Sequence, residues 1–256
     1  MKHKKLLIAV TCLFFVVVSI ICFTALYRVA DVIVTAETVV NSNEGVSNLA
    51  ESYLSEFKGK NLVFTSTNDI KNDLENKSPY LKVEKVNKKL PNVLEVVITE
   101  RKEAFAIKVD NYYYVLDTEF FCVAKKQVNE NNIDGNRNIL LDISVTDYSI
   151  DALQVGKYFN VTDTVSQNNL KSISASIINR RADIYNVGLT VKQDGFFNRK
   201  LILTMTEGMV ITIEKAEINS ADKLNFAYNY YLSADNKSVG SVIVTVSAET
   251  GDFIIA

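Results

Sequence analysis

Two neighbouring runs of the chain alternate between apolar and polar positions. Leu94, Val96 and Ile98 are spaced by Glu95, Val97 and Thr99, the period-two signature of a strand with one buried face. Upstream, Leu81 and Val83 alternate with Lys82 and Glu84, and Val86 breaks the phase as an extra bulged residue does. Pro91-Asn92 between the runs cannot continue a ladder and predicts a hairpin turn. Pro79 keeps Ser78 out of helical geometry, so any helix upstream stops there. Before that point the period changes. Val46, Leu49, Ala50, Tyr53, Leu54 and Phe57 recur at helical spacing, behind a capping-box pattern of Asn41 and Glu44 and ahead of Gly59. Thr67 is placed to cap a second helix with Ile70 and Leu74 on one face. With a strand at Asp31–Ala36, the order is strand, helix, helix, strand, strand. One three-stranded sheet with two helices on one face buries both stripes, and this predicts a unit over residues 28–103.

From Ala104 the texture shifts to short strands, predicted at Phe105–Val109, Tyr112–Leu116, Phe120–Ala124, Ile139–Ile143, Ile184–Lys192, Leu201–Thr206 and Val210–Glu214. Leu170, Ile173 and Ile177 mark one helix, and Leu224, Ala227, Tyr228 and Tyr231 a second, capped by Ser220. The stretch NENNIDGNRN, residues 129–138, is polar enough to be an exposed loop. Ser241–Ser247 and Phe253–Ile255 close the chain as strands. Residues 104–256 are thus expected to form an antiparallel sheet backed by two helices. In the final long strand Val242, Val244 and Val246 face one way and Ile243 and Thr245 the other, with no later long strand to cover them. An edge there offers unpaired N–H and C=O groups to a partner strand. Ser241, Val242, Ile243, Val244, Thr245, Val246, Ser247 and Phe253 are the candidate partner-binding residues. The opposing expectation is that Phe253–Ile255 or a nearby loop already covers that edge.

The first residues carry a different pattern. Leu6 to Tyr27 runs without a charge, and at ~1.5 Å per residue it is long enough for the ~30 Å hydrocarbon layer. Lys2, Lys4 and Lys5 precede it, so the positive-inside bias places the N-terminus in the cytoplasm and the C-terminus outside. A cleaved signal peptide would have a shorter apolar region, and Arg28-Val29-Ala30 is a poor cleavage site. The expectation is a five-residue cytoplasmic head, a single transmembrane helix over residues 6–27, and an extracytoplasmic body.

Charge and composition narrow the function. Of 28 basic residues three lie in the head, leaving 25 against all 30 acidic residues in the body. A mildly acidic body argues against nucleic acid as partner. The only histidine is His3, which removes Ser-His and Cys-His pairs and His-containing zinc sites from the body. Cys122 is the body's only cysteine, so no internal disulfide forms there, and its apolar setting makes it a small buried hydrophobe. Ser55/Lys58 and Ser220/Lys223 have the Ser-x-x-Lys spacing of penicillin-recognising enzymes, without the companion motifs. Asn160-Val161-Thr162 fits a glycosylation sequon that matters only in a eukaryotic secretory context. The residues point to no catalytic group, no metal, no cofactor and no small-molecule substrate.

Pro79-Tyr80, Leu90-Pro91-Asn92, Glu100-Arg101-Lys102 and Tyr114-Val115-Leu116-Asp117 match, in order and spacing, the bacterial cell-division family FtsQ/DivIB. The segment from Val239-Gly240 through Val244 also resembles that family's closing strand. Ala36 stands where the family usually has glycine after the first strand, Glu103 where proline is expected, and Phe120 where glycine follows Asp117. The resemblance implies an α+β chain with a transmembrane helix, a POTRA-like β-α-α-β-β domain and a β-rich domain. It also implies a non-enzymatic divisome scaffold at the septum. Such a scaffold binds bitopic coiled-coil proteins of the FtsL and FtsB/DivIC type and helps regulate septal peptidoglycan synthesis. The alternative is a surface-anchored adhesin or cell-wall-binding module using Tyr112-Tyr113-Tyr114; an envelope hydrolase lacks a nucleophile–base pair.

Overall fold

The computed structural model describes residues 2–36, 44–127, 138–143, 153–160, 164–194, 196–238, 240–247 and 251–255, with side-chain surroundings not described at a few of these. They fall into two units, Met1–Arg101 and Lys102–Ala256.

The first unit begins with helix α1 (Lys2–Leu26). After it come β1 (Asp31–Ala36), α2 (Glu44–Ser55), α3 (Thr67–Lys77), β2 (Leu81–Lys89) and β3 (Val93–Glu100). The sheet order is β1-β3-β2, with β1 parallel and β2 antiparallel to the central strand. The apolar positions set this arrangement. Leu94, Val96 and Ile98 of β3 and Leu81 and Val83 of β2 bury against Ala50 and Leu54 of α2 and Ile70 and Leu74 of α3. Ser66 rather than Thr67 caps α3, its hydroxyl accepting from the Asp69 N–H at 3.2 Å. The register shifts between Val83 and Lys85, which makes Glu84 the bulged residue. Glu75 on α3 answers that irregularity by accepting the Val83 N–H at 3.0 Å. Asn41 of the expected capping box lies outside the described residues.

The transmembrane expectation is corrected. Among the described residues no helix is long and apolar enough to cross a membrane.

The second unit is one nine-stranded sheet. Its strands are β4 (Phe105–Val109), β5 (Tyr112–Leu116), β6 (Cys122–Gln127), β7 (Ile139–Ile143), β8 (Ile184–Asp194), β9 (Phe196–Met205), β10 (Val210–Ile213), β11 (Ser241–Val246) and β12 (Phe253–Ile255). Helices α4 (Thr164–Ile178) and α5 (Ser220–Ser233) intervene after β7 and β10. The order across the sheet is β12-β11-β10-β9-β8-β7-β4-β5-β6.

The sheet is mixed, not antiparallel as expected. β4 runs parallel to β7, β7 to β8, and β10 to β11. α4 connects β7 to β8 and α5 connects β10 to β11, and a helical crossover returns the next strand in the same direction. The third strand starts later than its apolar run suggests. Asp117 Oδ1 accepts the N–H groups of Glu119 and Phe121, both at 2.8 Å, and Phe120 sits at φ 64°. That turn occupies the start of the run, so β6 begins at Cys122, while the buried Phe120 ring stacks on Phe105 at 5.3 Å. Residues 129–137 of the predicted polar loop, and two of the three sequon positions, lie outside the described residues.

Candidate partner-binding edge

The two ends of the nine-stranded sheet differ in how their open strand edges are treated. At the β6 end, Cys122 is bonded on its outer side: its N–H donates to the Lys157 carbonyl at 2.9 Å and its carbonyl accepts the Gly156 N–H at 2.8 Å. Phe121 and Tyr158 form a further antiparallel bridge. The rest of β6 carries exposed Lys125, Lys126 and Gln127, and edge lysines discourage strand pairing. Lys125 lies over the rings of Tyr112 and Tyr114 at 4.1 and 5.1 Å, and Lys126 pairs with Glu103 at 2.6 Å. Tyr114 also packs against the core. The tyrosine run is therefore shared between the core and Lys125.

At the other end the outermost strand is β12, not β11. Val244, Thr245 and Val246 pair with Ile255, Ile254 and Phe253, while on its inner side Ser241–Val244 pair with Val210–Ile213. Of the two expectations for this edge, Phe253–Ile255 do lie alongside β11. Among the described residues they cover only half of it: Ser241, Val242 and Ile243 have no register partner in Phe253–Ile255. The edge is thus a step, formed by the first half of β11 and then by the outer side of β12. Val242 and Val244 point into the core, Val246 is 36% exposed, and Ile254 is 41% exposed. Ser247 links the two strands, its N–H donating to the Asp252 carbonyl at 2.8 Å. Among the residues described here, this end carries no lysine.

What holds the edge in place is largely invisible to strand patterning. Phe253 sets its ring 5.9 Å from that of Phe226 on α5. Lys223 on α5 is 1% exposed, and its ammonium donates to the carbonyls of Glu214 at 2.8 Å and Lys215 at 2.9 Å, just beyond β10. Burial lowers its pKa from the ordinary lysine value. Asn169 on α4 donates to the Ala216 carbonyl at 2.6 Å in the same turn. Lys215 and Asn219 adopt left-handed backbone there, and Asn219, not Ser220, occupies the N-cap position of α5. Gly208, at φ 110°, lets the β9–β10 turn approach the segment leading into β11; a Cβ on it would sit 2.7 Å from the Ser238 carbonyl oxygen.

The Ser-x-x-Lys pairs are occupied structurally. The Ser55 hydroxyl donates to the Ser52 carbonyl at 2.7 Å, and the Lys223 ammonium serves the two carbonyls just described. Cys122 is buried, and burial pushes its thiol pKa up to about 11, far from a reactive thiolate.

A three-stranded sheet in the order β1-β3-β2 with two helices packed on it defines a POTRA-containing protein. Residues 26–101 match the model of the POTRA domain, FtsQ-type. Residues 26–101 thus form a POTRA domain of FtsQ type, and the chain is similar to cell-division proteins named DivIB. It is similar to "Cell division protein DivIB" of Clostridium tetani, 25% identical over 130 residues, which is 50% of this chain and 45% of that protein. It is also similar to the protein of that name from Clostridium botulinum strain Hall, 25% identical over 193 residues, 75% of this chain and 69% of the other. The Clostridium acetobutylicum protein of the same name is 28% identical over 85 residues, 33% of this chain and 32% of that one. The matched region thus spans less than half the length of the C. tetani relative.

Proposed function

We propose that this chain is a cell-division protein, a division-associated membrane protein acting as a non-enzymatic scaffold that captures other division proteins by strand addition at the β11–β12 edge. The reading rests on the similarity to cell-division proteins and on one observation above all, the contrast between the two sheet ends. The β6 end is bonded over and lysine-blunted, while the β12 end is short, apolar and stepped. Natural sheets protect edges that have no use, so the unprotected one is the candidate for pairing. Ser241–Ile243, paired to β10 on their inner side, have no outer strand partner among the described residues and lie next to Val246, Phe253 and Ile254, which supply apolar contact. The partners are bitopic coiled-coil proteins of the FtsL and FtsB/DivIC type, each presenting an extended segment. The consequence is control of septal peptidoglycan synthesis at midcell.

The test is binding between the purified chain and the extracytoplasmic segments of such partners. Ile254→Lys places a charge on the edge without touching the core. Loss of binding with an unchanged melting temperature supports the proposal. Unchanged binding excludes the edge, and a fluorescent fusion spread evenly around dividing cells excludes the septal role.

A further inference from the structure

Helix α5 runs back across the sheet, from the end of β10 toward its start. Lys223 near its beginning bonds the carbonyls of Glu214 and Lys215 beyond β10, and Tyr231 near its end donates to the Glu207 carboxylate before β10 at 3.0 Å. β11 is parallel to β10 with Ser241 beside Val210, so the later turns of α5 lie toward the Ser241 end of β11. Phe226, Tyr230 and the C-cap residue Ala234 are spaced by four on this helix and share one face, and each is partly buried against the core.

Phe226 has a strand to pack on. Its ring meets that of Phe253 at 5.9 Å, and Phe253 lies opposite Val246, in phase with the buried Val242 and Val244. The stripe continues past β12. Tyr230 and Ala234 are one and two turns nearer the Ser241 end, where no strand flanks β11 on its outer side among the described residues. Val244, beside Ile255, is 0% exposed, while Val242, beyond the end of β12, is 7% exposed. The approach to β11 bonds inward, the Met209 N–H donating to the Lys237 carbonyl at 3.1 Å and the Val210 N–H to the Gly240 carbonyl at 3.0 Å. Asp235 and Lys237 follow the stripe in sequence, Lys237 lying over the Tyr231 ring at 5.0 Å, and the stripe itself carries no charge.

We propose that the line of β12 continues as a slot beside Ser241–Ile243, filled by an extended segment of the captured protein that seats one large apolar side chain on Tyr230 and Ala234, opposite Val242. The period of two in a strand puts that residue on the same face as Phe253 and Ile255, which stand opposite Val246 and Val244 on the same line. The occupant is fixed by the pattern already present: the contact of Phe253 with Phe226 is repeated by an incoming side chain on Tyr230, one helical turn away. A charged residue there would lose its water and find no partner in the stripe, so the slot selects segments with an aromatic or aliphatic anchor. The residues on either side of the anchor face away from α5 and are less restricted. The inference rests on strand capture at the β11–β12 edge and names the partner side chain that decides it.

The test titrates the purified full chain with synthetic peptides Lys-Thr-Ser-Thr-X-Thr-Ser-Thr-Lys, where X is Phe, Leu, Ala or Asp, and follows the amide resonances of Ser241–Ile243. The expected result is that Phe and Leu at X bind about tenfold more tightly than Ala, the scale of burying one large apolar side chain, and that Asp binds most weakly. Tyr230→Phe keeps this preference and Tyr230→Ala removes it. Ala234→Glu also removes it without deleting a large side chain, which separates loss of the anchor from loss of folding. Equal affinity for Phe and Ala overturns the proposal, as does a preference that survives both Tyr230→Ala and Ala234→Glu. Failure of every peptide to bind at millimolar concentration overturns it too. Shifts at Ser241–Ile243 that grow with protein concentration alone also overturn it and assign the slot to a second copy. Ile254→Lys tells the two readings apart. If it abolishes capture of the partner segments while the peptides show no preference at X, the edge stands and the anchor falls. If capture is unchanged, the edge itself falls.

Discussion

Val246 of β11 lies directly opposite Phe253 of β12, and Phe253 in turn packs on Phe226 of α5, so the outermost strand is pinned to the helix behind it. A three-residue strand holds few ladder bonds of its own, and this aromatic contact supplies part of what keeps it in place. Phe253→Ala should lower stability by roughly 1–2 kcal/mol, the scale of a lost aromatic pair with its partly buried area. It should weaken partner capture more than the melting temperature suggests, because the altered strand is the one that pairs. Thermal unfolding and a binding titration on the same variant check both.

Lys223 is spent on two carbonyls at the end of β10. Lys223→Met keeps the stem and removes the donors, so the Glu214 carbonyl loses its ammonium partner while the Lys215 carbonyl keeps the Ile218 N–H at 3.0 Å. The loss should cost about 1–3 kcal/mol, so the second unit should melt lower while the POTRA domain is unaffected. Differential scanning calorimetry with the two units resolved would show it.

Gly208 cannot carry a side chain without displacing the backbone at Ser238. Gly208→Ala combines that overlap with a backbone conformation L residues rarely adopt. The expected penalty is about 1–3 kcal/mol, with a shift in the entry to β11 visible as amide chemical-shift changes across Ser241–Val244.

The Cys122 thiol is raised from its ordinary value of 9.0 to about 11 by burial. Below pH 9 the folded and unfolded chains both hold the proton, and the thiol imposes no pH dependence. Between 9 and 11 the unfolded chain releases it while the folded chain retains it, so stability falls as pH rises through that window. Cys122→Ala should flatten this alkaline limb relative to the parent chain in denaturant titrations at pH 8 and pH 10.5.

The POTRA elements are legible because each buries a regular stripe: Leu94, Val96 and Ile98 at period two, Leu54 against Ile70 and Leu74 at helical spacing. Errors there are of one or two residues, as at Ser66, where two hydroxyls stand side by side and only geometry says which accepts from Asp69. The second unit is less legible. Its strands are recognisable, but β9 starts at Phe196, well before its apolar run at Leu201, because pairing with β8 extends it. Lys223 is charged and sits in the first turn of a helix, so composition assigns it to solvent; its burial follows from the turn folded over it.

Local periodicity determined which segments are strands or helices and which of their faces are apolar, since those depend on neighbours a few residues away. It also determined the lack of a histidine-based site in the body, since that is a matter of inventory. Tertiary structure alone decided that the sheet is mixed, that β12 flanks part of β11, and that Lys223 is buried on the carbonyls beyond β10. Strand neighbours and surface clusters join residues far apart in the chain. Backbone pairing is blind to side-chain identity, so no period in the sequence records which strand lies beside which.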